Sequence, residues 1–193
     1  MLENLQKYNV VLASASPRRK ELLQRLGLPF KVRTLLGIDE TYPPTLAPSE
    51  IAELISRKKA DGYRLSMLPD DLIICADTIV CFEGKVLGKP RSVEEAKGML
   101  HSLSGHSHDV FTGVTVFSAE KSVSFTAASS VKFAQLSEEE IDFYVDNYLP
   151  LDKAGAYGIQ DWIGIAAVES ITGSYFNVVG LPMQRLYRAL KEF

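Results

Sequence analysis

The chain has 193 residues, 46% of them hydrophobic and 23% charged, which suits one large or two small globular domains and excludes fibrous, disordered and disulfide-scaffold classes. Twenty-four acidic against twenty-one basic residues leave a formal net charge of −3. That argues against a coat protein for nucleic-acid polymers but not against a nucleotide ligand, since a small anion needs only a local cluster of cations.

Met1 to Tyr8 are polar and mixed in charge, unlike a signal-peptide core, and no stretch approaches the roughly eighteen apolar residues of a membrane span. A cytoplasmic protein without membrane partners is expected. Asn9 to Ala13 reads as a short buried strand running into a helix, Pro17 to Leu26, closed by Gly27. Ser16 is the natural N-cap, with Pro17 at the first helical position, where its missing N–H costs nothing. Phe30 to Leu35 predicts a second strand, followed by a loop around Pro43 and Pro44. Pro48 to Met67 carries a helical apolar spacing at Ile51, Leu54 and Ile55. Leu72 to Phe82 is strand-like, and Glu83-Gly84-Lys85 is a turn. The two cysteines, Cys75 and Cys81, both sit in this apolar run and read as buried thiols.

Ser92-x-x-Glu95 is a capping box that opens a helix ending near Gly105, and Ser137-x-x-Glu140 opens another toward Tyr148. Between them, Val110 to Phe117 and Val123 to Phe133 predict a strand pair. The glycine loop Asp152 to Gln160 precedes an expected strand near Ile163 to Val168, and a helix from about Pro182 to Lys191 closes the chain. Strands mixed with helices and hairpins imply an α/β fold with a mixed sheet.

Four stretches carry chemistry. In Ser14-Ala15-Ser16-Pro17-Arg18-Arg19, a strand turns into a helix whose start favours an anion, and two arginines stand in that first turn. Their spacing, four residues before Leu22 and Leu23, tilts both toward the leucine side and points to phosphate binding. No G-x-x-x-x-G-K-[ST] exists, so this is not a P-loop. Asp77 interrupts the run Leu72 to Phe82, and a carboxylate there must meet a cation, a metal or several donors. Lys89 in Leu87-Gly88-Lys89-Pro90 suits either a phosphate or an exposed hairpin. Asp39-Glu40 adds hard oxygen ligands, and one or two carboxylates with substrate phosphates are enough for Mg²⁺. In Asp152 to Gln160, Gly155 and Gly158 permit close approach to a ligand, and the Gln160 amide can both donate and accept at a base edge. His101, His106 and His108 form no H-E-x-x-H and read as surface or structural. No G-x-S-x-G supports a Ser-His-Asp hydrolase.

Taken in order, Leu12-Ala-Ser-Ala-Ser-Pro-Arg-Arg19, Ala76-Asp-Thr-Ile-Val80, Leu87-Gly-Lys-Pro90, Met99 to Val114, Asp152 to Gln160 and Gly173 to Pro182 resemble the Maf family of nucleotide pyrophosphatases, also called septum formation inhibitors. The resemblance spans nearly the whole chain, as one Maf-like domain over 1–193. It implies a fold similar to that of inosine triphosphate pyrophosphatases, with two lobes around a cleft. It also implies hydrolysis of nucleoside triphosphates to a monophosphate and pyrophosphate, with Mg²⁺ or Mn²⁺, and a homodimer. The form of the 152–160 loop looks like the dTTP/UTP branch rather than the 7-methyl-GTP branch, a house-cleaning role that extends to modified pyrimidine nucleotides. Carried over by motif, Asp77 is the proton acceptor and Glu40 lines the site; as hard carboxylates, Glu40 and Asp77 would bind the metal. Ser14, Arg18, Arg19, Lys58, Thr78, Lys89 and Gln160 bind substrate, with Lys59 the alternative to Lys58 and with Arg18, Thr78 and Gln160 at specificity positions. Rival readings are a purine or 7-methyl-GTP pyrophosphatase and a non-catalytic, nucleotide-binding regulator of septum formation.

Overall fold

Asn9–Leu12 forms the first strand, β1, in which only Asn9 is exposed. The computed structural model describes residues 2–193 and shows an α/β chain with a mixed sheet and flanking helices. After β1 come α1 (Pro17–Gln24), β2 (Lys31–Val32), α2 (Pro48–Arg64), β3 (Asp71–Phe82), β4 (Lys85–Leu87), α3 (Val93–Leu103), β5 (Ser107–Phe117) and β6 (Ser122–Phe133). Then follow α4 (Glu138–Tyr148), α5 (Trp162–Ala166), β7 (Val168–Thr172), α6 (Tyr175–Val179) and α7 (Met183–Leu190). Strand order is β2-β1-β3-β5-β6-β7, with β4 also on β3. β1 pairs in parallel with β2 and β3, whereas β4 and β7 pair antiparallel to β3 and β6. Among the described residues no helix is long and apolar enough to cross a membrane.

Helix starts follow the local chemistry of the sequence. The Ser16, Ser92 and Ser137 hydroxyls accept from the backbone N–H three residues on, and the Glu140 carboxylate returns a bond to the Ser137 N–H. Glu83 and Gly84, both in left-handed conformation (φ 49° and 76°), make the tight β3–β4 turn.

The chain divides into two compact units. The first comprises residues 1–77, 112–127 and 180–193, and the second residues 78–111 and 128–179. In the first, α2 lays Ala60 and Tyr63 on Val11, Ala13, Ile73, Cys75 and Phe117, a core of fully or nearly fully buried side chains. In the second, Leu100 and Leu103 of α3, Ile141, Tyr144 and Val145 of α4, and Phe133 of β6 are buried.

Two expectations are corrected. The apolar run near Ile163 to Val168 is not a strand: its start is helix α5, and the strand β7 begins only at Val168. Ile163 is fully buried while Ile165 is 86% exposed, so residues two apart do not share a face as a strand demands. The second strand shrinks from Phe30–Leu35 to Lys31–Val32 because the Tyr63 hydroxyl takes over the backbone beyond it, donating to the Arg33 carbonyl (2.7 Å) and accepting from Leu35 N–H (2.9 Å).

α2 packs closely on β5 at Gly113, where an added Cβ would overlap the Ala52 carbonyl. Gly113→Ala should therefore lower the unfolding free energy by about 1–3 kcal/mol or more in urea titrations. By contrast, an added Cβ at Gly98, inside α3, meets nothing within 4 Å. Gly98→Ala should raise stability by about 0.5–1 kcal/mol. Equal stability of the two variants would contradict this packing.

Candidate active site

In the first unit the site starts where β1 gives way to α1. The Ser14 hydroxyl accepts from Ser16 N–H (3.2 Å), closing the turn that delivers Ser16 as cap of α1. Arg19, in the first turn of α1, curls back so that Nε donates to the Gly180 carbonyl (2.9 Å) and Nη1 to the Ala76 carbonyl (2.8 Å) and the Ser14 hydroxyl (3.4 Å). The guanidinium is thus fixed at the backbone of the residue before Asp77. Burial lowers its pKa below the usual arginine value, while Asp77 and, more weakly, Glu40 pull it back up.

Asp77 lies in β3 after six buried residues, and its side chain is only 14% exposed. The Lys59 ammonium meets it at 2.6 Å and meets Glu40 at 2.9 Å, so two carboxylates converge on one nitrogen. Lys59 and Asp77 are 15% and 14% exposed, so their contact is shielded from water far more than a surface ion pair, whereas Glu40 reaches the same nitrogen from the exposed side. Lys58 faces elsewhere: its ammonium bonds Asp39 (2.9 Å) and the Thr41 carbonyl (2.7 Å). Those contacts, with the Thr41 N–H, hold the Asp39 carboxyl well below its usual range. The first unit therefore brings together Ser14, Arg19, Glu40 and Asp77, with Arg18 adjoining, and the lysine among them is Lys59. The signal was present in the helical phase. Lys59 stands four residues after Ile55 and four before Tyr63, both buried, whereas Lys58 follows Leu54, which is only half-buried.

A divalent cation fits these donors. Asp77 and Glu40 each turn one carboxylate oxygen to the Lys59 ammonium, and carboxylates brought this close together are hard ligands that, with water and phosphate oxygens, suit Mg²⁺ or Mn²⁺. Among the described residues no group of three or more His, Cys, Asp or Glu side chains could hold a metal without such help. Cys75, two residues before Asp77, belongs to the apolar core, and burial pushes its thiol up to about 12.

The second unit carries the other three site residues: Thr78 half-buried on β3, Lys89 exposed just after β4, and Gln160 exposed at the end of the glycine loop. Gly155 N–H donates to the Gly88 carbonyl (3.0 Å), tying the loop to the residue before Lys89. Gly155 and Ala156 are both left-handed (φ 69° and 61°), and Tyr157 between Ala156 and Gly158 is buried. The Tyr157 hydroxyl lies 2.7 Å from His108 Nε2, and His108 also meets Phe133 edge-on. His108, expected from sequence as surface or structural, is buried, and with Tyr157 it supports the loop.

Burial lowers the His108 pKa from 6.5 to about 4. Between those values the unfolded chain binds a proton that the folded chain refuses. This contribution to stability is complete above about pH 6.5 and is lost as pH falls toward about 4. His108→Gln should flatten the stability–pH slope in urea unfolding between pH 7 and pH 4.5. A slope identical to the parent's would contradict a buried neutral imidazole.

The chain resembles known proteins throughout its length. The family model described as "Maf-like protein" matches residues 9–193. A Bacteroides thetaiotaomicron protein named dTTP/UTP pyrophosphatase is 60% identical over 192 residues, covering 100% of both chains. Proteins of the same name from Phocaeicola vulgatus and Parabacteroides distasonis are 56% and 53% identical, again over 100% of both chains. Among solved structures, a HAM1 protein from Coxiella burnetii aligns with 96% of this chain and 100% of its own at 16% identity and a TM-score of 0.47. The motifs that frame Arg19, Asp77 and Gln160 all fall inside the matched span, and the chain belongs to the Maf family.

Proposed function

We propose that this protein hydrolyses dTTP and UTP, and modified pyrimidine nucleotides of the same shape, to the nucleoside monophosphate and pyrophosphate. The observation that carries the reading is the convergence of Glu40 and Asp77 on Lys59 beside the Arg19 guanidinium, in a chain 60% identical to a relative named dTTP/UTP pyrophosphatase. Phosphoryl transfer asks the protein mainly for positioning and charge stabilisation, and this cluster supplies both signs of charge at short range.

In this reading Arg18, Arg19 and Lys89 hold phosphate oxygens, with Ser14 orienting Arg19. Glu40 and Asp77 hold Mg²⁺ or Mn²⁺, which when bound supplies positive charge against the triphosphate. Asp77 accepts the proton of the attacking water, and the anhydride between the α and β phosphates breaks, with pyrophosphate leaving. Lys59 spans the two carboxylates and lessens their mutual repulsion. Gln160 and Thr78 meet the pyrimidine edge: O4 and N3–H of thymine or uracil match one amide, which donates to the first and accepts from the second. The protein acts in the cytoplasm on free nucleotides as a homodimer, with no nucleic-acid polymer as partner.

Pyrophosphate release from a nucleotide panel with Mg²⁺ or Mn²⁺ tests this. dTTP and UTP should be the best substrates, and turnover of 7-methyl-GTP with none of either pyrimidine nucleotide would contradict the branch. Asp77→Ala should lower kcat by about 10²–10⁴-fold with an unchanged circular dichroism spectrum. Lys59→Ala should cost kcat/KM at least about tenfold more than Lys58→Ala. Full activity in an Asp77→Ala protein of unchanged fold would sink the role of Asp77.

A further inference from the structure

Gln160 stands inside a four-residue turn. The Asp161 N–H donates to the Gly158 carbonyl (2.9 Å), which makes Gly158 and Asp161 the ends of a β-turn with Ile159 and Gln160 at its centre. Both ends of that turn are bonded to one atom. The Tyr144 hydroxyl accepts from Gly158 N–H (3.0 Å) and donates to Asp161 Oδ2 (2.9 Å). Tyr144 comes from α4, is fully buried, and its ring stacks on Tyr148 at 5.1 Å. Burial raises its pKa above the ordinary phenol value, so the hydroxyl keeps the proton that it donates.

The turn is enclosed from other directions too. Ile159 is 8% exposed, and its carbonyl lies so close to Gly164 of α5 that an added Cβ there would overlap it. At Gly158 an added Cβ would fall 2.6 Å from Asp161 Oδ2 and 3.0 Å from Lys153 Cε. Gln160, by contrast, is exposed. The backbone of the turn is therefore clamped while the side chain at its tip is presented, which is the arrangement a base-reading amide needs. An amide on a loose turn would lose the alignment of donor and acceptor that tells one base edge from another.

We infer that Tyr144 is a specificity-positioning residue: its hydroxyl, clipping Gly158 to Asp161, sets the turn that aims Gln160 at the pyrimidine. This rests on the reading that Gln160 contacts the base. Tyr144 touches no reacting atom and acts only through Gln160.

The test is a double-mutant cycle of Tyr144→Phe with Gln160→Ala, read as the ratio of kcat/KM for UTP to that for GTP. Tyr144→Phe keeps the ring and its packing and removes only the clip. KM for UTP should rise roughly tenfold with kcat within about twofold, and the UTP-to-GTP ratio should fall by a similar factor. In the Gln160→Ala background the same substitution should change neither. Asp161→Ala should reproduce the effect of Tyr144→Phe, and Asp161→Asn, which keeps an acceptor for the hydroxyl, should restore most of the parent ratio. These Asp161 variants carry the test should Tyr144→Phe fail to fold.

An unchanged ratio in Tyr144→Phe overturns the inference. So does an equal loss in both backgrounds, because a merely structural tyrosine would weaken the enzyme whether or not Gln160 is present. If Gln160→Ala itself leaves the ratio as in the parent, the base-reading role of Gln160 falls and the inference falls with it. If Gln160→Ala lowers the ratio and Tyr144→Phe does not, only the inference falls.

Discussion

A carboxylate placed in an otherwise buried strand has to be neutralised where it stands, and Asp77 imposes that requirement on the first unit. Lys59 answers it directly, at 2.6 Å, and brings Glu40 to the same point. Arg19 answers it electrostatically, anchored by the Ala76 and Gly180 carbonyls at the end of the buried stretch. Charges of both signs are then held at fixed positions, with Lys59 and Asp77 largely shielded from solvent. Such an arrangement costs folding energy compared with an apolar core, and its return is chemical: charge already in place needs no reorganisation when a phosphate arrives.

The second unit solves a different problem, that of holding an exposed amide still. Its means is hydrogen bonding to backbone rather than charge. The His108–Tyr157 contact and the Tyr144 hydroxyl fix the glycine loop from two directions, and the Gly155 bond to the Gly88 carbonyl passes the same order to the residue beside Lys89. Two buried hydroxyls take on tasks that a main-chain ladder would perform in regular structure. They leave Gln160 as the polar tip of a loop whose body is buried.

Much of this was legible in the sequence where the physics is local. The caps at Ser16, Ser92 and Ser137 concern neighbours three residues apart, and each appears where the sequence places it. Asp77 announced itself as a charge in an apolar run. The lysine needed one more step, the helical phase set by Ile55 and Tyr63, which separates Lys59 from Lys58 by a single residue. What stayed hidden depends on distant partners. Nothing near Tyr144 in the chain shows that its hydroxyl bridges a turn fourteen residues away, and nothing near Phe30 to Leu35 shows that Tyr63 cuts that strand short. The α5 segment misled for another reason: five apolar-rich residues fit either period, and burial of Ile163 without Ile165 became visible only in three dimensions. The order of the motifs carried further than any one of them, since it pointed to the Maf family that the match over residues 9–193 shows.

In the proposed reaction this cluster of paired charges directs cleavage to one bond of a pyrimidine nucleoside triphosphate. ³¹P NMR of dTTP incubated with the protein and Mg²⁺ tests it most directly. The expected spectrum shows dTMP and pyrophosphate growing in equal amounts as the three triphosphate resonances decay. Formation of dTDP and inorganic phosphate, or an unchanged triphosphate with enzyme and metal both present, would contradict it.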